Sequence, residues 1–300
     1  MRYVGRFAPS PTGPLHIGSL TTAVASFVHA RQRAGDWLVR IEDIDPPREM
    51  PGAADRILCA LEAFELPWDG AVLHQSTRLA VYMGTAEKLL RNGRAFRCSC
   101  TRREVRTGSK ASGARYPGTC RSRSEHARST AIRARVDAGE LEFVDGLQGP
   151  RTVDLATTTG DYVIVRRDGL VAYHLAVVVD DADQGITTIV RGVDLLESTP
   201  IHVHLQRALG LPTPQYLHLP VITNAAGQKL SKQTHAAAVD EMDRRAAAVQ
   251  VLEYLGLRVP EEARGATPGE LWAWAIDTWS IESLAGRTTL QVQKLVEPPK

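Results

Sequence analysis

The residues best suited to chemistry lie in a short loop and helix start near the N-terminus. His16 and Gly18 stand in GPLHIGSL, where the proline-rich segment APSPTGP leads into a helical pattern. A histidine at a helix start can donate a hydrogen bond to a phosphate oxygen, and glycine leaves room for a base or ribose against the backbone. As a bare pattern His-x-Gly is weak, because a single histidine more often has a structural or surface role.

A second basic pattern lies late in the chain. Lys229 and Lys232 are three residues apart in KLSKQ, which follows the turn-rich NAAGQ. Two lysines at this spacing in a loop can close over a triphosphate and stabilise a departing pyrophosphate. Taken alone, a lysine-rich loop is usually a solvated segment.

Cysteines supply a third candidate site. Three of the four, Cys98, Cys100 and Cys120, lie within 23 residues, which suggests a metal. Tetrahedral zinc needs a fourth ligand, and His126, six residues after Cys120, is the chemically common choice. Three unligated thiols remain an alternative, because Cys-x-Cys is less diagnostic than paired Cys-x-x-Cys knuckles.

The segment that surrounds these cysteines is strongly basic. From Thr101 to Val136 it holds ten lysines or arginines against two glutamates, although the net charge of the chain is only +2. Such a run indicates either contact with a polyanion or a solvated surface, and both interpretations stay open.

Alternating strand and helix patterns must position these residues. The predicted strands cover residues 2–7, 36–45, 186–192 and 216–222, and the predicted helices cover 16–33, 53–64, 79–91 and a stretch that ends at 209. This order predicts an α/β fold with a Rossmann-like, doubly wound parallel sheet.

Three regions follow from this pattern. We predict a nucleotide-binding catalytic domain over residues 1–235, interrupted by a zinc-bearing insertion over about 94–159, and a short helical region over 236–300. No N-terminal segment resembles a signal peptide, and the longest apolar stretch, residues 170–179, is too short to span a bilayer. We therefore expect a cytoplasmic protein with no membrane partner.

Taken together, the motifs resemble class I aminoacyl-tRNA synthetases. HIGS is similar to their HIGH-type signature and KLSKQ to their KMSKS-type loop, while RFAPSPTGPLHIGSL, LVRIEDIDPPRE and IVRGVDLLESTP look like the glutamyl branch. The resemblance covers most of residues 2–235. It implies ATP, with Mg²⁺, and L-glutamate as substrates. The implied catalytic residues are His16, Gly18, Lys229 and Lys232, of which His16, Gly18 and Lys232 contact ATP.

A glutamate site needs fixed cations for two carboxylates and an anion for the ammonium group. The resemblance places the glutamate contacts on Arg6, Phe7, Ala8, Pro9, Ser10, Glu42, Tyr173 and Arg191. Taken singly, each charged member has an ordinary interpretation as an ion-pair partner, and Tyr173 as a core aromatic residue.

Chain length refines the resemblance. Only 67 residues of the 300 follow Gln233, too few for the helical anticodon-binding region of a bacterial glutamyl-tRNA synthetase. The chain therefore resembles a shortened paralogue that places activated glutamate on queuosine in the anticodon loop of tRNA(Asp). Queuosine-containing tRNA(Asp) is the implied partner, and no obligate protein partner is evident. The same resemblance selects Tyr116 as the fourth ligand of a structural zinc ion held by Cys98, Cys100, Tyr116 and Cys120, with His126 as the alternative.

Some positions depart from the family pattern. Ser19 replaces the final histidine of HIGH, Leu230 replaces the usual methionine, and Gln233 ends the lysine loop without a hydroxyl or cation. Ile201 and His202 stand where a more basic pair is expected, which puts a polyanion contact there in doubt.

Three rival functions share parts of this pattern. A truncated glutamyl-tRNA synthetase that charges a tRNA 3′ end would keep every activation residue. A catalytically idle RNA-binding module would not need the intact His16, Gly18 and lysine pair. A general nucleotidylyltransferase would not need Arg6, Glu42 and Arg191.

Overall fold

The computed structural model describes residues 2–108, 115–125, 129–223 and 238–291. His126, Lys229 and Lys232 lie outside the described residues. The helices in the described part are α1 (Ile17–Arg31), α2 (Ala53–Ala63), α3 (Leu79–Arg91), α4 (Arg102–Gly108), α5 (Leu155–Thr158), α6 (Tyr173–Asp183), α7 (Thr199–Leu209), α8 (Arg244–Tyr254) and α9 (Pro268–Thr278). The strands there are β1 (Val4–Phe7), β2 (Asp36–Ile41), β3 (Leu73–His74), β4 (Ala95–Cys98), β5 (Ala131–Ala134), β6 (Glu140–Asp145), β7 (Gly149–Asp154), β8 (Val163–Val165), β9 (Thr188–Gly192), β10 (Gln215–Leu219), β11 (Val221–Thr223) and β12 (Thr289–Gln291).

The first unit of the fold is β1-α1-β2. The two strands pair in parallel, from Val4 opposite Asp36 to Phe7 opposite Val39. Gly35 makes the return possible, because a Cβ atom there would lie 2.6 Å from the carbonyl oxygen of Tyr3. Helix α1 crosses over the sheet and is buried along most of its length, as a crossover helix in an α/β fold must be.

Two parallel strand groups meet beside β1. One is ordered β1-β2-β3, and the other β7-β6-β10-β9, in which β6, β10 and β9 run parallel. The backbone N–H of Thr187, just before β9, donates to the carbonyl oxygen of Val4 at 2.9 Å. The chain thus passes from β1 to β2 on one side, while β9 lies on the other. This reversal of strand order is the switch point of a doubly wound sheet, and the predicted fold class is confirmed.

Helices α4, α5 and α6 were not predicted from the sequence, and of these α6 bears most on the site. Its residues from Leu175 to Asp181 are all buried, so they show no alternation of apolar and polar faces. A second difference concerns the predicted strand over 216–222, which Pro220 divides into β10 and β11.

The middle of the chain forms a small antiparallel sheet in the order β4-β5-β8. Strand β6, inside the predicted insertion, pairs with β10 of the parallel sheet, and β8, beyond residue 159, pairs with β5. The domain division therefore stays a prediction.

The C-terminal helices pack against the first unit of the fold. Trp272 of α9 is buried in the same core as α1, and its indole N–H donates to the carbonyl oxygen of Phe64 at 2.7 Å. Strand β12 pairs in parallel with β11. Within the described residues, no helix has both the length and the apolar character needed to cross a membrane.

Candidate active site and metal cluster

A cavity of about 750 Å³ opens at the carboxyl ends of β1, β2 and β9, in front of the start of α1. Ligands of doubly wound sheets bind in this crevice. Among its lining residues are all the predicted ATP and glutamate contacts that the structure describes, namely Arg6, Phe7, Ala8, Pro9, Ser10, His16, Gly18, Glu42, Tyr173 and Arg191. The structure thus brings together residues up to 185 positions apart in the chain, from Arg6 to Arg191.

His16 is the N-cap residue of α1. Its Nδ1 accepts from the backbone N–H of Ser19 at 3.3 Å, and the Ser19 hydroxyl lies 3.0 Å from its Nε2. Ser19, which replaces the last histidine of the HIGH pattern, therefore holds the imidazole at the cavity. The first turn of α1 contains no acidic residue, so its N–H groups and dipole favour an anion.

Arg191, at the end of β9, is a buried cation whose contacts are all uncharged. Its Nε lies 3.0 Å from Nε2 of His218, its Nη1 lies 3.2 Å from Nδ1 of His202, and its Nη2 donates to Thr199 at 2.9 Å. No carboxylate of the described residues forms an ion pair with it. Its positive charge is thus available for an anionic ligand, although its side chain is only 4% exposed.

Arg6 differs from Arg191 because its charge is already compensated. Its Nε donates at 3.1 Å to Oδ1 of Asp181 on α6, and the same oxygen accepts from Nη2 of Arg40 at 2.8 Å. Arg40 also lies 3.5 Å from Glu42. Asp180, also fully buried, lies 4.0 Å from Arg40. Arg6 and Arg40 thus share one buried network with the carboxyl groups of Glu42, Asp180 and Asp181, and Arg191 is a further cation nearby.

Burial changes the protonation of this network. It raises the pKa of Glu42 to about 7, because Arg40 and Arg6 only partly offset the loss of solvent. Burial would also raise the pKa of Asp181, but Arg40 and Arg6 outweigh it and lower the pKa below its usual value. Burial raises the pKa of Tyr173 to about 12, so its hydroxyl stays protonated and can donate a hydrogen bond.

The lysine loop lies outside the described residues, but its described neighbours lie at the cavity. Val221 and Ile222 of β11 line it, and Ala238 forms a backbone bridge with His16.

His202 has a structural role at the start of α7. It is fully buried, contacts Arg191 and lies 3.1 Å from Nδ1 of His174. Burial lowers its pKa well below the usual value. A neutral, buried imidazole cannot bind a polyanion. The structure therefore explains why position 202 needs no basic side chain: His202 packs against Arg191 inside the protein.

The three clustered cysteines form a separate site. The sulfur atoms of Cys98, Cys100 and Cys120 lie within 4.8 Å of one another. The hydroxyl oxygen of Tyr116 lies 3.4 Å from Sγ of Cys98 and 3.8 Å from Sγ of Cys100. Soft thiolates in such a group are a donor set that suits zinc. Three thiols and the Tyr116 oxygen converge on one point, so the predicted ligands that the structure describes fit a metal ion.

Much of the basic segment is used inside the protein. Arg121 forms a hydrogen-bonded ion pair at 2.6 Å with the buried Asp161. Arg133 lies 4.1 Å above the ring of Tyr116, and Arg135 stacks 5.5 Å from the ring of Phe96. These arginines support the cysteine cluster, which favours the structural interpretation of the charge run at these positions.

Several residues that shape the site were missed in the sequence. Asp181 and Arg40 compensate and position Arg6, and His218 and Asp145 lie behind Arg191. The run DDAD, which begins at Asp180, was the available signal, because adjacent carboxylates in an apolar stretch need cationic partners.

Comparison with known proteins agrees with the fold and the cavity. A family described as class I tRNA synthetases (E and Q), catalytic domain, matches residues 3–264. The chain therefore belongs to this family, and it is a ligase.

Its relatives specify the branch. A protein of Chromobacterium violaceum named glutamyl-Q tRNA(Asp) synthetase is 52% identical over 282 residues, which cover 93% of this chain and 94% of the relative. A protein of the same name from Neisseria meningitidis serogroup A is 50% identical over 288 residues, covering 94% of this chain and 97% of the relative. The predicted resemblance to the shortened paralogue is confirmed.

Solved structures show the same fold. A glutamate-tRNA synthetase from Elizabethkingia anophelis has a TM-score of 0.82 and 26% identity, and the match covers 98% of this chain but 68% of that one. A glutamate tRNA ligase from Elizabethkingia meningosepticum, in complex with its amino acid, has a TM-score of 0.80 and 26% identity, with 95% of this chain and 66% of that one covered.

Proposed function

We propose that this ligase activates L-glutamate with ATP in the absence of tRNA and then transfers the glutamyl group to the queuosine base of tRNA(Asp). One observation carries the activation step. The buried guanidinium of Arg191, which has only uncharged contacts among the described residues, shares one cavity with Glu42 and with the N-terminus of α1.

The charges of the cavity match those of glutamate. We assign Arg191 and Arg6 to the two carboxylates and Glu42 to the ammonium group, with Tyr173 donating a hydroxyl hydrogen bond. We assign Arg191 to the side-chain carboxylate of glutamate and Arg6 to the α-carboxylate. Arg191 binds its carboxylate most strongly, because among the described residues no internal anion competes for its charge. An amide substrate such as glutamine would leave this buried cation without a counter-ion.

The phosphate side of the cavity begins at His16. In the proposed reaction an oxygen of the α-carboxylate attacks the α-phosphorus of ATP, the bond to the β-phosphate oxygen breaks, and pyrophosphate leaves. His16 and the first N–H groups of α1 stabilise the charge on the phosphate oxygens, and Gly18 leaves room for the nucleoside. Lys229 and Lys232 are proposed to neutralise the leaving pyrophosphate. Bound Mg²⁺ would supply further neutralisation, and no protein nucleophile is required.

Transfer to queuosine is supported by the relatives. The chain aligns with nearly the full length of proteins named for this activity, whereas it covers about two thirds of a glutamate-tRNA synthetase. In this step a nucleophilic group of the queuosine base attacks the acyl carbon of glutamyl-adenylate, and AMP is released.

We assign a structural zinc ion to Cys98, Cys100, Tyr116 and Cys120. A closed set of four ligands leaves no open position for substrate. The ion would join β4 to the segment around Tyr116. It would also fix the turn before α6, because Nη2 of Arg167 in that turn donates to the carbonyl oxygens of Ser99 and Cys100 at 2.7 Å.

Two measurements test the function. The first is exchange of labelled pyrophosphate into ATP without tRNA, with glutamate, glutamine or aspartate present. We expect exchange with glutamate only. No exchange would favour the idle RNA-binding module, and exchange without any amino acid would favour a nucleotidylyltransferase.

The second measurement follows labelled glutamate into bulk tRNA prepared with or without queuosine. We expect labelling only of the queuosine-containing preparation. Labelling of queuosine-free tRNA(Glu) at its 3′ end would instead identify a truncated charging enzyme.

A further inference from the structure

A buried chain of three side chains runs from the cavity to the turn between β6 and β7. Nε of Arg191 lies 3.0 Å from Nε2 of His218, and Nδ1 of His218 lies 2.5 Å from Oδ2 of Asp145. The side chains of His218 and Asp145 have no solvent exposure. The predicted site includes Arg191 but neither of the other two.

Only one arrangement of protons satisfies this chain. The guanidinium nitrogen Nε always carries a hydrogen, so Nε2 of His218 must accept. The Asp145 carboxylate can only accept, so Nδ1 of His218 must carry the proton. His218 is thus a neutral imidazole in the Nδ1–H form. Burial and the Arg191 charge lower its pKa below the usual value, although the Asp145 hydrogen bond opposes them.

Asp145 is itself held by the backbone. Its Oδ1 accepts from the N–H groups of Leu147 at 3.0 Å, Gln148 at 2.8 Å and His218 at 3.3 Å, while Oδ2 faces the His218 ring. Burial would raise the pKa of Asp145, but the hydrogen bonds from His218 and from the turn lower it. The carboxylate therefore has one fixed orientation and one charge state at neutral pH.

We propose that Asp145 and His218 are positioning residues for Arg191: they fix the imidazole as an acceptor of the Nε–H and so hold the guanidinium in the orientation in which its charge faces a substrate carboxylate in the cavity. This proposal rests on the proposed function, because it gives Arg191 a carboxylate ligand. It also explains how a buried cation is held without an anion in contact with it: the negative charge stands one imidazole away. A carboxylate in direct contact would compete with the substrate.

The substitution Asp145→Asn tests the proposal. Three backbone N–H groups require an acceptor at Oδ1, so the new amide oxygen takes that place and its NH₂ group faces Nδ1 of His218. His218 must then move its proton to Nε2, where it meets the Nε–H of Arg191, donor against donor. We expect the KM for glutamate in pyrophosphate exchange to rise roughly 10-fold to 100-fold, with the KM for ATP changed about 2-fold or less.

Asp154→Asn is the matched control. Asp154 caps α5 by accepting from the N–H of Ala156 at 2.9 Å, and asparagine caps helices equally well. It lies at the end of β7, the partner strand of β6, and does not line the cavity. Both kinetic constants of this variant should match those of the unsubstituted protein.

A second readout is independent of activity. The ¹⁵N chemical shifts of the His218 ring, measured in the full chain, report which nitrogen carries the proton. We expect a protonated Nδ1 in the unsubstituted protein and a protonated Nε2 in Asp145→Asn. A protonated Nε2 in the unsubstituted protein would overturn the proposal even if the variant failed to fold.

The two proposals fail in different ways. Absence of glutamate-dependent exchange in the unsubstituted protein would remove the proposed function, and with it the carboxylate assigned to Arg191. Normal exchange in the unsubstituted protein, with an unchanged KM for glutamate in Asp145→Asn, would overturn the positioning role alone.

Discussion

Nη2 of Arg40 lies 2.8 Å from Oδ1 of Asp181, and both side chains are buried, with exposures of 0% and 2%. The same oxygen accepts from Nε of Arg6 at 3.1 Å. A single carboxylate on α6 is thus shared by cations on two adjacent strands, β1 and β2. The arrangement joins the helix to the floor of the cavity through charge as well as through apolar packing.

Replacing this shared carboxylate should be costly. Asp181→Asn leaves two buried guanidinium groups without their common counter-ion, so we expect the free energy of unfolding to fall by about 3 to 5 kcal/mol. Denaturant unfolding followed by circular dichroism measures it. The control Asp183→Asn removes a carboxylate of the same helix that pairs with Arg78 and is 53% exposed, which should cost about 1 kcal/mol or less. Equal losses in the two variants would contradict the shared role of Asp181.

The raised pKa of Glu42 predicts a pH-dependent stability. The pKa of the Glu42 carboxyl is about 7 in the folded protein and 4.5 in the unfolded chain. The protonated carboxyl therefore contributes stability at low pH, and this contribution is lost as the pH rises through 7. Glu42→Gln keeps the neutral form at every pH. The stability of the unsubstituted protein, relative to this variant, should therefore fall by roughly 2 to 3 kcal/mol between about pH 5 and pH 8.

Thermal or denaturant unfolding at several pH values measures this difference. Glu62→Gln on α2 is the control for removal of an exposed carboxylate. If the differences for the two variants follow the same course with pH, the charged form of Glu42 is not the source of the effect.

Removal of the Arg191 side chain tests the glutamate site. Its partners in the described structure are neutral, so Arg191→Ala leaves no buried carboxylate unpaired, and the fold should survive. Loss of the cation should lower glutamate-dependent pyrophosphate exchange by about 100-fold or more. Arg207→Ala on α7 is the control, because the one side-chain hydrogen bond that it loses within the described part of the chain is to the carbonyl oxygen of Glu142. Near-normal exchange by a folded Arg191→Ala protein would remove this residue from the substrate site.

Metal analysis tests the cysteine cluster. We expect about one zinc ion per chain in protein purified without chelator, and its loss in Cys120→Ser. Cys59→Ser should retain the ion, because Cys59 is an exposed cysteine outside the cluster. Elemental analysis by mass spectrometry gives the content, and retention of zinc by Cys120→Ser would exclude the assigned ligands.

The fourth ligand is decided by a further pair of variants. Tyr116→Phe removes the oxygen that lies 3.4 Å from Sγ of Cys98 and should weaken zinc binding, as measured by competition with a chelator. His126→Ala should bind zinc as tightly as the unsubstituted protein. The reverse pattern would make His126 the ligand.

Short-range patterns predicted the parts of the fold that neighbouring residues control. The helix predicted over 79–91 is α3 as observed, and the first strand, loop and helix occur in the predicted order, because apolar spacing and proline or glycine breaks act locally. Helix α6, whose residues from Leu175 to Asp181 are all buried, was missed for the opposite reason. This stretch is buried on every face, so its sequence shows no helical alternation of apolar and polar residues.

The residues of the site were likewise predicted only in part. The sequence by itself determined which groups exist and which of them are close in the chain: His16 with Gly18, the three cysteines, and the lysine pair. Only the tertiary structure decided that Arg191 contacts imidazoles while Arg6 contacts a carboxylate. These pairings join residues far apart in the chain, 175 positions for Arg6 and Asp181 and 27 for Arg191 and His218. They depend on which strands become neighbours in the sheet and on which buried charges are brought into contact, and neither can be predicted from the local spacing of residues.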